Sequence, residues 1–228
     1  MYESYIKRLL DLILSLAACV VLAIPMGIIA LWIKKDSPGP VFFKQRRVGR
    51  GKKCFNILKF RTMRGDTPHD VPTHLLKNAD SYITKSGAFL RRTSLDELPQ
   101  IYNILKGDMS IVGPRPERPE LAAELEKEIP EFSFRLQVKA GLTGYAQVHG
   151  RNAVPWEERF RMDVWYTQNI TFRLDCRILL DTVRVVFRHD GIGSGTSETM
   201  EPFTGNRTAA VEVGAEKEES AQWAQGKD

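Results

Sequence analysis

From Leu12 to Ile33 the chain runs for 22 residues without a charged side chain. At ~1.5 Å of rise per residue, a helix of that length reaches across the hydrocarbon core of a bilayer. Lys7 and Arg8 stand before the run, and Lys34 and Lys35 follow it. Basic residues stay on the cytoplasmic side, so both ends are assigned there. Pro25 lies in the second half of the run, where the missing N–H removes a helical hydrogen bond and bends the path. Residues 1–36 are therefore predicted to form a re-entrant membrane helix, broken at Pro25, that enters and leaves by one face. A spanning helix merely kinked at Pro25 is the alternative. Leu16-Ala17-Ala18-Cys19 looks like a lipoprotein cleavage box, but apolar residues continue to Ile33 where a polar linker would follow a lipidated Cys19.

Beyond the breaker cluster Asp36-Ser37-Pro38-Gly39-Pro40, the apolar runs become short. Val41–Phe43 and Phe55–Phe60 read as strands of a small hairpin around Gly49-Arg50-Gly51. That turn, with Lys52, lacks the spacing of a Walker loop or a dinucleotide fingerprint. Gly65 to His74 reads as a loop. Ser94 to Gly107 reads as a helix: Ser94 and Glu97 have capping-box spacing, Pro99 suits a first turn, and Gly107 suits the position after the last. Ser110–Val112 reads as a strand ending in the rigid turn Gly113-Pro114-Arg115-Pro116, and Glu117 to Ile129 as a solvated, acidic-faced helix. Gly141 to Asn152 combines glycines with a strand-like run, and Trp156 to Tyr166 forms a helix whose spaced rings suit packing. On the helix from Phe172 to about Arg188, ~100° per residue puts Arg173, Arg177, Arg184 and Arg188 in one arc of about 60°. Such a stripe suits anionic headgroups, or a solvated face. The whole predicts an α/β (α+β-like) architecture, helix-rich with short strands: a membrane helix over 1–36, a body over 37–205 and a flexible tail over 206–228.

Charge narrows the partners. Before residue 206 the chain has 30 basic against 23 acidic side chains. That excess favours nucleic acid, anionic lipid or a phosphate-bearing substrate. Cys19, Cys54 and Cys176 are far apart and odd in number, so no disulfide framework is legible. The four histidines have no short ligand spacing, which leaves oxygen donors for any metal.

Asp96 and Glu97 carry the strongest chemical signal. Near a helix start, free amides and the macrodipole attract anions, so the carboxylates serve as caps or as holders of a cation beside a phosphate. Arg91 and Arg92, just upstream, supply the opposite charge that a phosphorylated substrate needs. Arg115 sits between two prolines that pre-set its backbone. Arg151, closing the glycine-rich segment, is a further phosphate partner.

Taken in order, these segments resemble the monotopic phosphoglycosyl transferases, bacterial sugar transferases with small PglC-like members. The resemblance rests on Lys7-Arg8, Pro40-Val41-Phe42-Phe43-Lys44-Gln45, Lys59-Phe60-Arg61-Thr62-Met63, Asp96-Glu97-Leu98-Pro99-Gln100, Gly113-Pro114-Arg115-Pro116 and Gly150-Arg151-Asn152, and runs from Lys7 to Gly205. It implies transfer of a sugar 1-phosphate from a UDP-sugar to a polyprenyl (undecaprenyl) phosphate, the first membrane step of glycan or exopolysaccharide synthesis. It implies Asp96 as carboxylate nucleophile, forming an aspartyl-phosphosugar, and Glu97, with Asp96, at a Mg²⁺ ion. Arg91, Arg115 and Arg151, then Lys59 and Arg61, are the expected phosphate contacts. The enzyme would lie on the cytoplasmic face of the bacterial inner membrane, against anionic lipid, with no nucleic acid partner and with a homodimer possible. Two features depart from the small members: Ile24, not Ser, precedes Pro25, and Pro116-Glu117-Arg118-Pro119-Glu120 is closer to the larger hexose-transferring ones. Rival readings are a membrane-tethered basic nucleic-acid-binding protein and a scaffold without chemistry.

Overall fold

The computed structural model describes residues 2–68, 79–150 and 154–188. Most of the expected loop 65–74, Arg151, Asn152 and the tail 206–228 lie outside the described residues.

A π-helical turn, Tyr2–Ile6, leads into α1, Lys7–Asp36, a 30-residue helix that continues through Pro25, so the break expected there is not present. Its apolar window has mean hydropathy 2.7, yet only 11% of that window is buried inside the protein. Leu16, Val20, Val21, Ile24 and Leu31 are all exposed, an apolar surface too large for water to tolerate on a monomer. The two ends behave differently from the middle. At the N-terminal end Arg8 donates to the carbonyls of Ile104 and Leu105 at 2.6 and 2.9 Å, and Asp11 accepts from the Ile111 N–H at 2.9 Å. Lys7 and the Tyr2 hydroxyl both reach Asp175. At the C-terminal end Ile29 and Ile33 are buried against Phe60 and Leu90, and Asp36 accepts from the backbone and hydroxyl of Ser86. Those bonds hold the Asp36 carboxyl below its ordinary range: the Ser86 backbone bond acts most, against the opposing effect of burial.

The expected hairpin is present and longer than its apolar runs. Strands β1, Phe42–Val48, and β2, Cys54–Phe60, pair antiparallel with Phe42 opposite Phe60 and Val48 opposite Cys54. Helix α2, Lys85–Arg92, and helix α3, Gln100–Lys106, follow, separated by a 3₁₀ turn at Leu95–Glu97. Gly107 ends α3 at φ 100, in the left-handed position expected of it.

Strands β3, Met109–Val112, and β4, Ala140–Thr143, pair in parallel. Parallel pairing demands a crossover, supplied by α4, Pro119–Glu128, and the 3₁₀ run Pro130–Gln137. The acidic helix thus starts at Pro119 rather than Glu117, and Glu117 is buried. A Cβ on Gly141 would lie 2.1 Å from the Gly113 nitrogen, so a side chain there would push apart the turn that carries Arg115. The helices α5, Tyr145–His149, α6, Trp156–Gln168, and α7, Phe172–Arg188, complete the body.

The α6 rings pack as expected: Phe160 joins Phe132, Leu125 and Val48, while Tyr166 joins Val112 and Ile178. On α7 the buried side is Asp175 and Ile178, and Phe172, Leu180, Val183 and Val186 stay exposed. Asp181 pairs with Arg177 and Arg184 along the basic stripe. The described protein is helix-rich with short strands and one long apolar N-terminal helix.

Candidate active site

On a 3₁₀ turn, positions three apart eclipse one another. In Leu95-Asp96-Glu97-Leu98 the two leucines therefore share one side. Both pack against the cluster of Ile29, Ile33, Phe60 and Leu90, which leaves Asp96 and Glu97 directed away from that apolar seat. The expected capping box does not form. Ser94 is left-handed at φ 56, ψ 16 and makes no capping bond, and the α-helix starts only at Gln100. The Glu97 carboxylate is turned instead to two cations on other elements.

Lys59, next to last in β2, donates its Nζ to Glu97 Oε1 at 2.7 Å and lies 3.8 Å from Asp96 Oδ2. Arg115, beyond β3, donates Nη2 to Glu97 Oε1 at 2.9 Å, with Nη1 at 3.5 Å from Oε2. The four side chains form one half-open cluster, 13% exposed at Asp96, 17% at Glu97 and Lys59, and 36% at Arg115. Burial alone would raise the Glu97 pKa, but Arg115 and then Lys59 outweigh it and hold the carboxyl well below the usual range. Asp96 goes the other way. Burial pushes its carboxyl up, opposed by Lys59 and aided by the neighbouring Glu97 charge. Adjacent carboxylates with pKa values driven apart suit different tasks: one a fixed anion, the other a more basic oxygen.

Arg91 belongs nearby. Its Nε donates to the Thr62 hydroxyl at 2.9 Å, and its charge lowers the Asp96 pKa. Arg61 does not join the cluster: it is 6% exposed and gives its guanidinium to the carbonyls of Ser37 and Pro38, tying the end of α1 to β2. Arg151 lies outside the described residues.

Sequence reasoning passed over Asn103. Its side chain accepts from the Leu58 N–H at 3.0 Å and donates to the Asn56 carbonyl at 2.8 Å, which fixes the strand just before Lys59. The available signal was an asparagine on the apolar face of α3, beside Ile104. Also missed were the buried charges Glu117, Arg135 and Asp163, whose burial comes from elements distant in sequence.

Among the described residues no group of three or more His, Cys, Asp or Glu could hold a metal. Two adjacent carboxylates are nevertheless what a Mg²⁺ ion commonly uses when phosphate and water supply its other oxygens. Among the described residues Asp96 has only the long approach of Lys59, and Glu97 Oε2 only the 3.5 Å approach of Arg115, so the pair fits such an ion. A cavity of about 640 Å³, lined by Asp36, Arg64, Thr84 and Lys85 among others, lies at the N-terminal end of α2. The carboxylates lie beyond the opposite end of that helix, outside the cavity wall.

The family model for bacterial sugar transferases matches residues 2–189. An uncharacterized sugar transferase, EpsL, of Bacillus subtilis is 44% identical over 203 residues, covering 88% of this chain and 96% of that one. The exopolysaccharide production protein PSS of Rhizobium leguminosarum is 43% identical over 191 residues, 79% of this chain and 94% of its own. The UDP-glucose:undecaprenyl-phosphate glucose-1-phosphate transferase of Xanthomonas campestris is 45% identical over 191 residues. That alignment takes in 81% of this chain but 40% of the relative.

Proposed function

The chain belongs to the bacterial sugar transferase family, and from that membership we propose that it moves a sugar 1-phosphate from a UDP-sugar to a polyprenyl phosphate, undecaprenyl phosphate being the acceptor in the Xanthomonas relative's name. The observation that carries this reading is the half-open Asp96–Glu97–Lys59–Arg115 cluster, on a turn whose Leu95 and Leu98 pack against the apolar cluster that α1 enters through Ile29 and Ile33. That supports phosphate-handling charge close to the helix suited to lipid.

In the proposed reaction an Asp96 carboxylate oxygen attacks the β-phosphorus of the UDP-sugar. An O–P bond forms to Asp96, the P–O bond to UMP breaks, and UMP leaves with the electron pair. A phosphate oxygen of the lipid acceptor then attacks the same phosphorus. The polyprenyl diphosphate sugar forms and Asp96 is released. A covalent carboxylate step divides one hard transfer into two easier ones. The raised Asp96 pKa makes its oxygen a better nucleophile than an ordinary aspartate. Arg115, with Arg91 behind it, meets the charge of the phosphoryl oxygens, and Lys59 keeps Glu97 ionised and in place. Asp96 and Glu97 would hold Mg²⁺, which when bound supplies neutralisation of phosphoryl charge.

Both ends of α1 rest on one body, through Arg8 and Asp11 at one end and Ile29, Ile33 and Asp36 at the other. A helix leading from one side of a bilayer to the other would carry only one of its ends back to that body. This supports re-entry by a single face, the cytoplasmic one on the charge rule. The exposed apolar row of α7, flanked by Arg173, Arg177 and Arg184, suits anionic headgroups on the same surface. Phe172 at its start touches the Tyr2 ring at 5.9 Å, beside the start of α1.

The test uses the whole chain in detergent with Mg²⁺, undecaprenyl phosphate and a panel of UDP-sugars, measuring UMP. Release with at least one sugar is expected, together with ping-pong kinetics and a phosphosugar adduct on Asp96. No release from any sugar with any divalent ion would reject the reading, and sequential kinetics would reject its covalent step.

A further inference from the structure

The turn that presents Arg115 cannot build its own hydrogen bonds, because Pro114 and Pro116 bring no N–H. Its carbonyls are instead taken one by one from outside. The Gly141 N–H donates to the Pro114 carbonyl at 2.9 Å, Arg135 Nη2 to the Arg115 carbonyl at 2.6 Å, Arg47 Nη1 to the Pro116 carbonyl at 3.1 Å, and the Val48 N–H to the Glu117 carbonyl at 2.9 Å. Two of these donors are arginines of the interior.

Arg135 is the deeper. Its side chain is 1% exposed, so it reaches no substrate. Nη2 also meets Asp163 Oδ2 at 2.7 Å, and the guanidinium lies 5.1 Å from the Phe132 ring centre and 5.0 Å from that of Phe160. Its Nε and Nη1 have no hydrogen-bond partner among the described residues. An apolar side chain of similar volume commonly serves stability as well as such a buried ion. Stability alone therefore gives no account of a guanidinium here, whereas its bond to the Arg115 carbonyl does.

We propose that Arg135 is a positioning residue for the transfer reaction. It holds the backbone of Arg115 so that the Arg115 guanidinium stays against Glu97, with Asp163 orienting Arg135 and Arg47 gripping the next carbonyl. The inference rests on the reading of Arg115 as a working group of the site.

The test is a double-mutant cycle on UMP release, using the full chain in detergent, undecaprenyl phosphate and a UDP-sugar that the panel finds accepted. Arg135→Met is expected to lower kcat about 10- to 100-fold with KM for the UDP-sugar within about threefold, and Arg135→Lys to recover part of the loss. In an Arg115→Met background the same Arg135→Met change is expected to cost less than about threefold, because its effect passes through Arg115. Equal losses in both backgrounds would overturn the proposal, as would a lowered Tm with unchanged kcat in the folded protein. Should Arg135→Met not fold, Arg47→Gln carries the same cycle, with a loss of about 3- to 10-fold that disappears beside Arg115→Met; losses that multiply would again overturn it. If Arg115→Met alone left transfer intact, the reading of Arg115 would fall and the proposal with it, an outcome distinct from additive losses.

Discussion

Two clusters in this protein are built from the same ingredients, carboxylates facing arginine or lysine, and they do different work. In one, Asp96 and Glu97 face Lys59 and Arg115 with side chains 13–36% exposed. In the other, Glu117 and Asp163 face Arg135 with side chains 1–9% exposed. The closed cluster turns Arg135 Nη2 to Asp163 and to the Arg115 carbonyl, inside the protein. The open one leaves Asp96 with no cation nearer than 3.8 Å among the described contacts. Burial raises the pKa of both Asp163 and Asp96, with arginines opposing the rise at Asp163 and Lys59 opposing it first at Asp96. Proton affinity therefore does not separate the two; access does. A carboxylate walled in by aromatic rings holds structure, and one on a half-open turn can meet a ligand.

The comparison breaks most easily at Asp96. Asp96→Asn is expected to lower UMP release at least about 10³-fold while moving Tm by less than about 2 °C, since it removes the nucleophile and no packing. A marked fall in Tm would make Asp96 structural after all. Next is Lys59→Met, which takes away one of the two cations on Glu97. A loss of about 10- to 100-fold in kcat with folding intact is expected from steady-state assays. Asp163→Ala is expected to act on stability first, with a fall in kcat beside it. It leaves buried Arg135 with Glu117 at 3.9 Å as its remaining ion pair among the described residues, at a cost of up to about 3–5 kcal/mol of stability, read as a lower Tm in detergent. A retained Tm with unchanged kcat would mean that Asp163 neither holds the fold nor orients Arg135.

The smallest effect is expected at Asp36, whose carboxylate belongs to neither cluster. Its folded pKa lies below the ordinary 3.8, so its contribution is present above that value and disappears as pH falls through the folded pKa. Asp36→Asn should lower Tm by about 1–2 °C at pH 7 and by nothing in strong acid, where both forms are neutral. A difference that persists in acid would mean that the Ser86 contacts do not depend on the charge.

Much of this was legible along the chain. The uncharged run of α1, the Gly107 stop and the β1–β2 hairpin follow from local patterning, and Asp96, Glu97, Lys59 and Arg115 do converge. What failed, failed where tertiary contacts override local ones. Ser94 and Glu97 have the spacing of a cap, but Lys59 and Arg115 offer Glu97 two charged donors in place of one amide, and Ser94 turns left-handed. Arg61 carries the same charge as Lys59 two residues away. Strand alternation would give the two one face, but Arg61 lies past the end of β2, and nothing local says that it turns to the Ser37 and Pro38 carbonyls. Glu117 looked solvated because its neighbours are polar, and only folding brings Arg47 and Arg135 to it. Glu117 is thus used inward, while Arg118 and Pro119 of the same motif are half-buried and Glu120 is exposed.

The seat of the turn that carries Asp96 and Glu97 sets a practical limit on handling this protein. Leu95 and Leu98 pack against a cluster to which the second half of α1 gives Ile29 and Ile33, so deleting the first 36 residues to obtain a water-soluble fragment would remove part of the floor under Asp96 and Glu97. The long apolar helix is a wall of the workshop rather than a mooring rope, and solubility is better sought from an amphiphile wrapped around it.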